Sequence, residues 1–354
     1  HSTKYIGIGV KGDFKLGEWK SDYVLSLDKL WFHRKVIGNY GSDPNDFYAP
    51  APGNIYRSNS TPSPGSFPKH TLKTQYKLQM LGWHIVDTFT APGDKLGITL
   101  GMHGHRGIRA RNYAGSSASE IDASATCPTF AVTYQFTPQF MMYANHSESF
   151  DEGTVVGSGY ANMGETIPPA KTKQNEIGVK YQSKGLLQTL SYYKMRKQGT
   201  NGVLRSGLMY LEIDKEQKYS GVEYSVVGKI APQLDMVLAL NWLQAKQTDG
   251  NSVLGLPTWA GTAALVYKPT DVLSVVGRLN YSGEARIRHN SPLDVPAFTT
   301  FDLGMNYKMQ VSGEDVTFSL MCSNLFNKRY WYASGSSIAP GMPRTISLSA
   351  SCSF

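Results

Sequence analysis

The chain has 354 residues, of which 41% are hydrophobic, 12% aromatic and only 18% charged, with 35 Lys and Arg against 27 Asp and Glu for a formal net charge of +8. No apolar run approaches the roughly 20 residues a membrane helix needs, and plentiful Tyr, Phe, Trp and β-branched residues exclude disorder. Gly 35 and Pro 18 exclude a coiled coil.

Three cysteines do not make a disulfide framework. Cys322 and Cys352 fall on apolar positions of alternating segments, and Cys127 sits beside Pro128 at a loop end. The positive excess attracts anionic surfaces and anionic small ligands. Because it contains no basic run of five or more, it does not suggest a nucleic-acid partner. The chain starts at His1 without a Met or a charged-then-apolar leader, so it reads as a mature product or a fragment.

Period-two alternation recurs along the whole chain. Ile98, Leu100 and Met102 share one face, with Thr99, Gly101 and His103 on the other. Leu234, Met236, Leu238, Leu240 and Trp242 share a face, as do Leu273, Val275, Leu279 and Tyr281. Phe301, Leu303, Met305 and Tyr307 oppose Asp302, Gly304 and Asn306, and Val316, Phe318, Leu320 and Cys322 oppose Thr317, Ser319 and Ser323. The last segment sets Ile346, Leu348, Ala350, Cys352 and Phe354 against four serines. Apolar faces about ten residues long with aromatic ends are what a lipid-facing barrel strand requires.

The pattern predicts 15 strands, near 4–14, 19–34, 72–90, 95–110, 129–136, 139–150, 174–182, 187–197, 209–230, 234–247, 257–268, 272–283, 297–309, 315–325 and 345–354. The face assignment of 187–197 is ambiguous, and 19–34 and 209–230 are long enough to project beyond one bilayer crossing. Short connections near 15–18, 91–94, 137–138, 183–185, 231–233, 269–271 and 310–314 carry Gly, Pro and Asp, as tight turns do. Long ones near 35–71, 111–128, 151–173, 198–208, 247–256, 284–296 and 326–344 alternate with them. Short periplasmic turns and long outer loops are the layout of an outer-membrane barrel. A soluble sandwich or propeller would also have many strands, but it does not require this alternation. Bacterial barrels have even strand numbers, so an odd count with a downward first strand predicts a chain that begins partway through a barrel.

Asn324-Leu325-Phe326-Asn327-Lys328-Arg329-Tyr330, the following Pro340-Gly341-Met342-Pro343-Arg344 and the terminal Phe354 resemble the end of TonB-dependent outer-membrane receptors. Tyr143–Phe150, Glu176–Lys180 and Tyr219–Glu223 resemble further strand motifs of that family, closest to its siderophore-receptor branch. The resemblance implies an all-β transmembrane antiparallel barrel, with residues 1–354 a partial barrel domain holding about the last 15 of roughly 22 strands. The N-terminal plug and the first strands are then expected to lie elsewhere.

It also implies transport in place of catalysis, in the outer membrane of a Gram-negative bacterium. An Fe(III)-siderophore is the expected cargo. The expected partners are the TonB–ExbB–ExbD energy-coupling complex acting through the plug, outer-membrane lipid, and the barrel assembly machinery reading Phe354. Haem, another metal chelate and cobalamin are alternative cargoes within the family. A general porin or a barrel enzyme lies outside it, and no histidine here pairs convincingly with a nucleophile as such an enzyme needs.

Candidate ligand contacts are the loop aromatics and arginines Tyr48, Tyr56, Arg57, Arg106, Arg109, Tyr113, Arg286, Arg288, Tyr330, Trp331 and Tyr332. Aromatics offer flat contact area and Arg offers charge to an anionic chelate. The same residues also suit loop packing and interfacial belts. His103 and His105 share one strand face and are the candidate metal ligands, or else two polar residues lining a wet lumen.

Overall fold

A computed structural model describes residues 1–37, 72–114, 117–151, 153–156, 159–289, 294–311, 313–335 and 337–352. The strands are β1 (Ser2–Leu16), β2 (Trp19–Ile37), β3 (Leu72–Thr90), β4 (Leu96–Ala114), β5 (Ser117–Thr137), β6 (Phe140–Phe150), β7 (Thr154–Val155), β8 (Thr166–Ile167), β9 (Lys171–Ser183), β10 (Leu186–Arg205) and β11 (Leu208–Ala231). They continue as β12 (Leu234–Gln247), β13 (Trp259–Tyr267), β14 (Leu273–Ser282), β15 (Ala285–Arg286), β16 (Asp294–Val295), β17 (Phe298–Val311), β18 (Glu314–Ser323), β19 (Trp331–Ser334), β20 (Ser337–Pro340) and β21 (Thr345–Cys352).

Fifteen of them form one sheet in chain order, β1-β2-β3-β4-β5-β6-β9-β10-β11-β12-β13-β14-β17-β18-β21, and every neighbouring pair is antiparallel. The six short strands make three two-stranded ribbons, β7–β8, β15–β16 and β19–β20, all on the long-loop side. Each of the 15 predicted strands has its counterpart in the sheet. Among the described residues β1 and β21 do not pair with each other, so the sheet has two edges.

Two predicted long loops are instead strand. Residues 111–114 and 117–128 belong to β4 and β5, paired as far as Ala114 with Ser117. Residues 198–205 extend β10, which meets β11 through Ser206 and Gly207. Both of these residues have positive φ, 49° and 78°. That pair of values makes a mirror-image turn whose twist matches the flanking strands. Cys127, expected at a loop end, is a fully buried residue of β5.

The faces of the sheet are inverted relative to a soluble protein. Along β17, Phe301, Leu303, Met305 and Tyr307 are 40–46% exposed, whereas Thr300 and Asp302 on either side of Phe301 are each 7% exposed. The cross-strand register carries this division around the sheet. Leu279 faces Phe301 and Val275 faces Met305 on the apolar side, while Asn280 faces Thr300 and Arg278 faces Asp302 on the polar side. The same register settles β10: Tyr192 lies opposite Ile177 and Val222, so Leu190 and Tyr192 point outward. Leaving such side chains in water forgoes about 1.5–3 kcal/mol each. Dozens of them on one surface therefore require an apolar solvent on that side. Polar groups collect inward, where they bond to one another. Among the described residues no helix is long and apolar enough to cross a membrane; the strands do the crossing.

At the long-loop end of β2 and β3 the inner face changes character. Below, it carries Asp22, Ser26, Asp28 and His84; above, it carries Leu30, Phe32, Leu78 and Met80. This upper patch packs with Ala123, Phe150 and Val155, so β7 lies against it. Asn162, between β7 and β8, makes a tie to the β10–β11 hairpin: its Nδ2 donates to the Leu211 carbonyl at 2.9 Å and its Oδ1 accepts from the Leu211 N–H at 3.0 Å.

The face assignment predicts opposite outcomes for neighbouring positions of β18. Leu320→Arg, on the outward face, should cost about 2–4 kcal/mol and reduce assembled protein. Ser319→Arg, on the inward face, should be tolerated. Heat-modifiable migration of the membrane fraction reads both, and equal loss in the two variants would contradict the assignment.

Candidate functional site

The inward face forms a polar wall. A cavity of about 580 Å³ runs along it, lined among others by Tyr143, Glu176, Glu223, Asn241, Thr262 and Asn280 from six strands. Tyr143 Oη donates to Glu176 Oε1 at 2.6 Å, and Gln174 Nε2 donates to the other carboxylate oxygen at 3.1 Å. Thr262 Oγ1 donates to Asn280 Oδ1 at 3.1 Å. Neighbouring strands thus cross-link their own side chains. Such a wall suits water and polar ligands, and among the bonds just named none pairs a nucleophile with a base.

Asp302 is the centre of the densest network. Its Oδ2 accepts from Arg278 Nε at 2.8 Å and from Asn280 Nδ2 at 3.1 Å, and its Oδ1 accepts from the backbone N–H of Asn324 at 2.8 Å. Asn324 is 4% exposed and has a φ of 50°. Its Nδ2 donates to the carbonyls of Lys328 and Met342, both at 2.9 Å, and its Oδ1 accepts from the Lys328 N–H at 2.8 Å. Asn327, with φ 51°, accepts from the Arg344 N–H at 3.0 Å. The Asn324–Tyr330 and Pro340–Arg344 segments are therefore two halves of one fastening that closes the loop between β18 and β21. Tyr330 completes it, stacking on Phe298 with ring centroids 4.2 Å apart and lying against Gly341, where a Cβ would collide with the ring. Sequence reasoning found both segments but not their junction.

The candidate ligand residues separate into groups. Tyr48, Tyr56 and Arg57, together with Phe354, lie outside the described residues, as do the side chains of Arg109 and Tyr113. Arg106 is exposed on β4, at the start of a bulge, away from the others. Arg286 and Arg288 sit on the 284–296 segment, whose β16 contacts β19, the strand of Trp331 and Tyr332. The Gly255 N–H donates to the Arg286 carbonyl at 2.7 Å, so three outer segments meet here. Ala285, Ile287 and Val295 form their buried underside. Arg286 is neutralised locally by Asp294, with Nε to Oδ1 3.4 Å. Arg288 is exposed, and among the described residues no carboxylate lies within 4.0 Å of it. Tyr330 is consumed by the fastening, whereas Tyr332 is 46% exposed.

His103 and His105 have different ring neighbours. His103 stacks on His84, with centroids 5.8 Å apart, and His84 Nε2 lies 3.4 Å from Asp28. His105 meets the edge of Phe150 at 5.2 Å. Among the described residues no three His, Cys, Asp or Glu side chains are grouped to hold a metal ion.

The fastening predicts a local effect. Asp302→Ala leaves Arg278 without its carboxylate and frees the Asn324 N–H. Arg278 is 46% exposed and regains water, so the cost falls mainly on the buried Asn324 N–H left without an acceptor, about 1–3 kcal/mol. Limited proteolysis of the membrane-embedded protein should then cut within 326–344 at least about tenfold faster, with other outer segments unchanged. Unchanged cleavage would contradict the role given to Asp302.

Comparison with known proteins follows the same lines. Residues 4–325 match the family model described as TonB dependent receptor-like, beta-barrel. The chain is 26% identical over 293 residues to the ferrichrome receptor FcuA of Yersinia enterocolitica, covering 77% of this chain and 38% of that protein. It is 26% identical over 257 residues to the metal-pseudopaline receptor CntO of Pseudomonas aeruginosa, covering 68% of this chain and 35% of that protein. Among solved structures it resembles BauA, the ferric preacinetobactin receptor of Acinetobacter baumannii, with a TM-score of 0.82 and 26% identity over 99% of this chain and 54% of BauA. The ferric citrate transporter FecA shares the fold, with a TM-score of 0.71 at 16% identity over 97% of this chain and 53% of FecA. The chain thus spans about a third to a half of the length of these relatives. The inverted faces, the antiparallel meander and the matched 4–325 segment agree: the chain belongs to the TonB-dependent receptor β-barrel family, whose members are transporters in the outer membrane of Gram-negative bacteria.

Proposed function

We propose that residues 1–354 are part of the barrel domain of a receptor that binds a ferric siderophore at its extracellular face and imports it with energy from the TonB system. The observation that carries this reading is the meeting of outer segments 248–258, 284–296 and 326–344. There Arg288, without a carboxylate within 4.0 Å among the described residues, and the exposed Tyr332 lie on segments fastened to the barrel rim. Flat aromatic surface and guanidinium charge suit a bulky anionic chelate. The similarity to receptors named for ferrichrome and ferric preacinetobactin supports an iron chelate as cargo. The polar inward wall supplies a wet passage behind them. Coupling to TonB–ExbB–ExbD and displacement of a plug are functions of the whole receptor.

A second reading has its own support. Similarity to a metal-pseudopaline receptor extends over 68% of the chain, so a chelate of another transition metal is the alternative cargo.

The test uses the full-length receptor in an iron-starved host lacking its other siderophore receptors. Radio-iron loaded on hydroxamate, catecholate and carboxylate chelators should accumulate for one class and only when TonB is present. Arg288→Gln should weaken binding of an anionic chelate about tenfold, close to 1.4 kcal/mol. Arg286→Gln should change it much less, because Asp294 already neutralises that charge. Accumulation independent of TonB, or of no chelate at all, would overturn the proposal; uptake of a nickel or zinc chelate alone would favour the second reading.

A further inference from the structure

The outward face carries a feature that cargo transport does not use. Four successive strands each place one cation in direct cross-strand register. Lys173 of β9 lies opposite Arg196 of β10, Arg196 opposite Lys218 of β11, and Lys218 opposite Lys246 of β12. Each stands four residues nearer the outer loops than the row Ile177, Tyr192, Val222 and Trp242, which is in register across the same strands. Four residues is an even step, so the two rows share the outward face. The lower row ends the apolar band with Tyr and Trp, the residues that mark a membrane interface. The upper row therefore sits at the level of the outer-leaflet headgroups.

Like charges directly opposite one another repel, so an unliganded row of this kind is unfavourable. Two carboxylates relieve it in part. Glu148 lies 3.0 Å from Lys173 and 3.4 Å from Lys171, and Glu216 lies 4.0 Å from Arg196 and 3.8 Å from Lys218. Lys194 lies two residues nearer the membrane on the same face, over the Tyr192 ring at 5.7 Å. Among the described residues neither Lys194 nor Lys246 has a carboxylate within 4.0 Å. Six cations thus meet two carboxylates, and all four members of the row are exposed.

We propose that this row binds the phosphates of a bis-phosphorylated glycolipid of the outer leaflet. Lys and Arg at the interface attract anionic headgroups, and Arg forms paired hydrogen bonds to phosphate oxygens. The row crosses three strand spacings, roughly 14 Å at about 4.8 Å each. That width accommodates two phosphates held apart on a sugar backbone. A phospholipid, with one phosphate, fills only part of it.

The full-length receptor, extracted in mild detergent, is titrated with bis-phosphorylated lipid A, monophosphorylated lipid A and phosphatidylglycerol, and bound lipid is counted by native mass spectrometry. The wild type should prefer the bis-phosphorylated lipid. The quadruple variant Lys173→Gln, Arg196→Gln, Lys218→Gln, Lys246→Gln should bind it at least about tenfold more weakly, since each interfacial cation contributes on the order of a fivefold factor. The double variant Arg196→Gln, Lys218→Gln should lie between the two, and it keeps the test available if the quadruple variant fails the heat-modifiability check for folding. Lys268→Gln with Lys308→Gln, at the opposite end of the strands, should bind as the wild type does. Unchanged affinity in either folded variant, or equal binding of phosphatidylglycerol, would overturn the assignment. Chelate uptake is measured in parallel, so failure of this site and failure of the cargo reading are told apart.

Discussion

Hydrocarbon offers the backbone no hydrogen-bond partner, and everything else in this sheet follows from that constraint. Each N–H and C=O left unpaired at bilayer depth costs several kcal/mol, so strands survive there only when paired in register with neighbours on both sides. The antiparallel meander meets the requirement with the shortest connections, and its short side uses turns of two to five residues, among them Lys184–Gly185, whose φ values of 49° and 82° suit the strand twist. Once the register is fixed, period-two geometry sends alternate side chains outward and inward. Phe301 and Leu303 then meet lipid while Thr300 and Asp302 meet Asn280 and Arg278 of β14.

The inward face is free to be polar because water and neighbouring side chains satisfy it. The sheet uses this freedom unevenly. Along β6 and β9 to β14 it builds a wall of Tyr, Glu, Asn and Thr around an open cavity. At Asp302 it builds an anchor, where one carboxylate joins Arg278, Asn280 and the start of the loop that follows β18. At the upper ends of β2 and β3 it turns apolar and has β7 lying against it. The outer loops thus rest on the barrel at fixed points, and residues such as Arg288 and Tyr332 are presented from segments tied down nearby. The basic row outside belongs to the same logic: above the apolar band the outward face meets headgroups and no longer acyl chains, and its side chains change from Ile177, Tyr192 and Trp242 to Lys173, Arg196 and Lys246.

Much of the fold was legible in the sequence because a half-apolar strand writes its own period. It stopped being legible where the strands run on past the bilayer and no longer alternate regularly. Residues 111–114, 117–128 and 198–205 have loop-like composition, yet they pair as hairpin extensions without a regular apolar alternation. Cys127 reads as a loop residue beside a proline, although it is buried within β5. The family motifs were visible as motifs, but their role was not. Asn324 acts through backbone atoms of Lys328 and Met342, and no local pattern announces a partner 18 residues away. The ligand candidates were the least legible. Charge alone does not distinguish Arg286, held by Asp294, from Arg288, which has no such partner among the described residues.

The central claim is that one face of this sheet lies in lipid and the other in water. Nitroxide labels placed singly at positions 299 to 307 of β17 in the reconstituted receptor measure it most directly, through collision with oxygen and with a water-soluble nickel chelate. The account predicts high oxygen accessibility at Phe301, Leu303, Met305 and Tyr307, and preferential nickel accessibility at the positions between them. A flat profile, or the same alternation in the opposite phase, would contradict it.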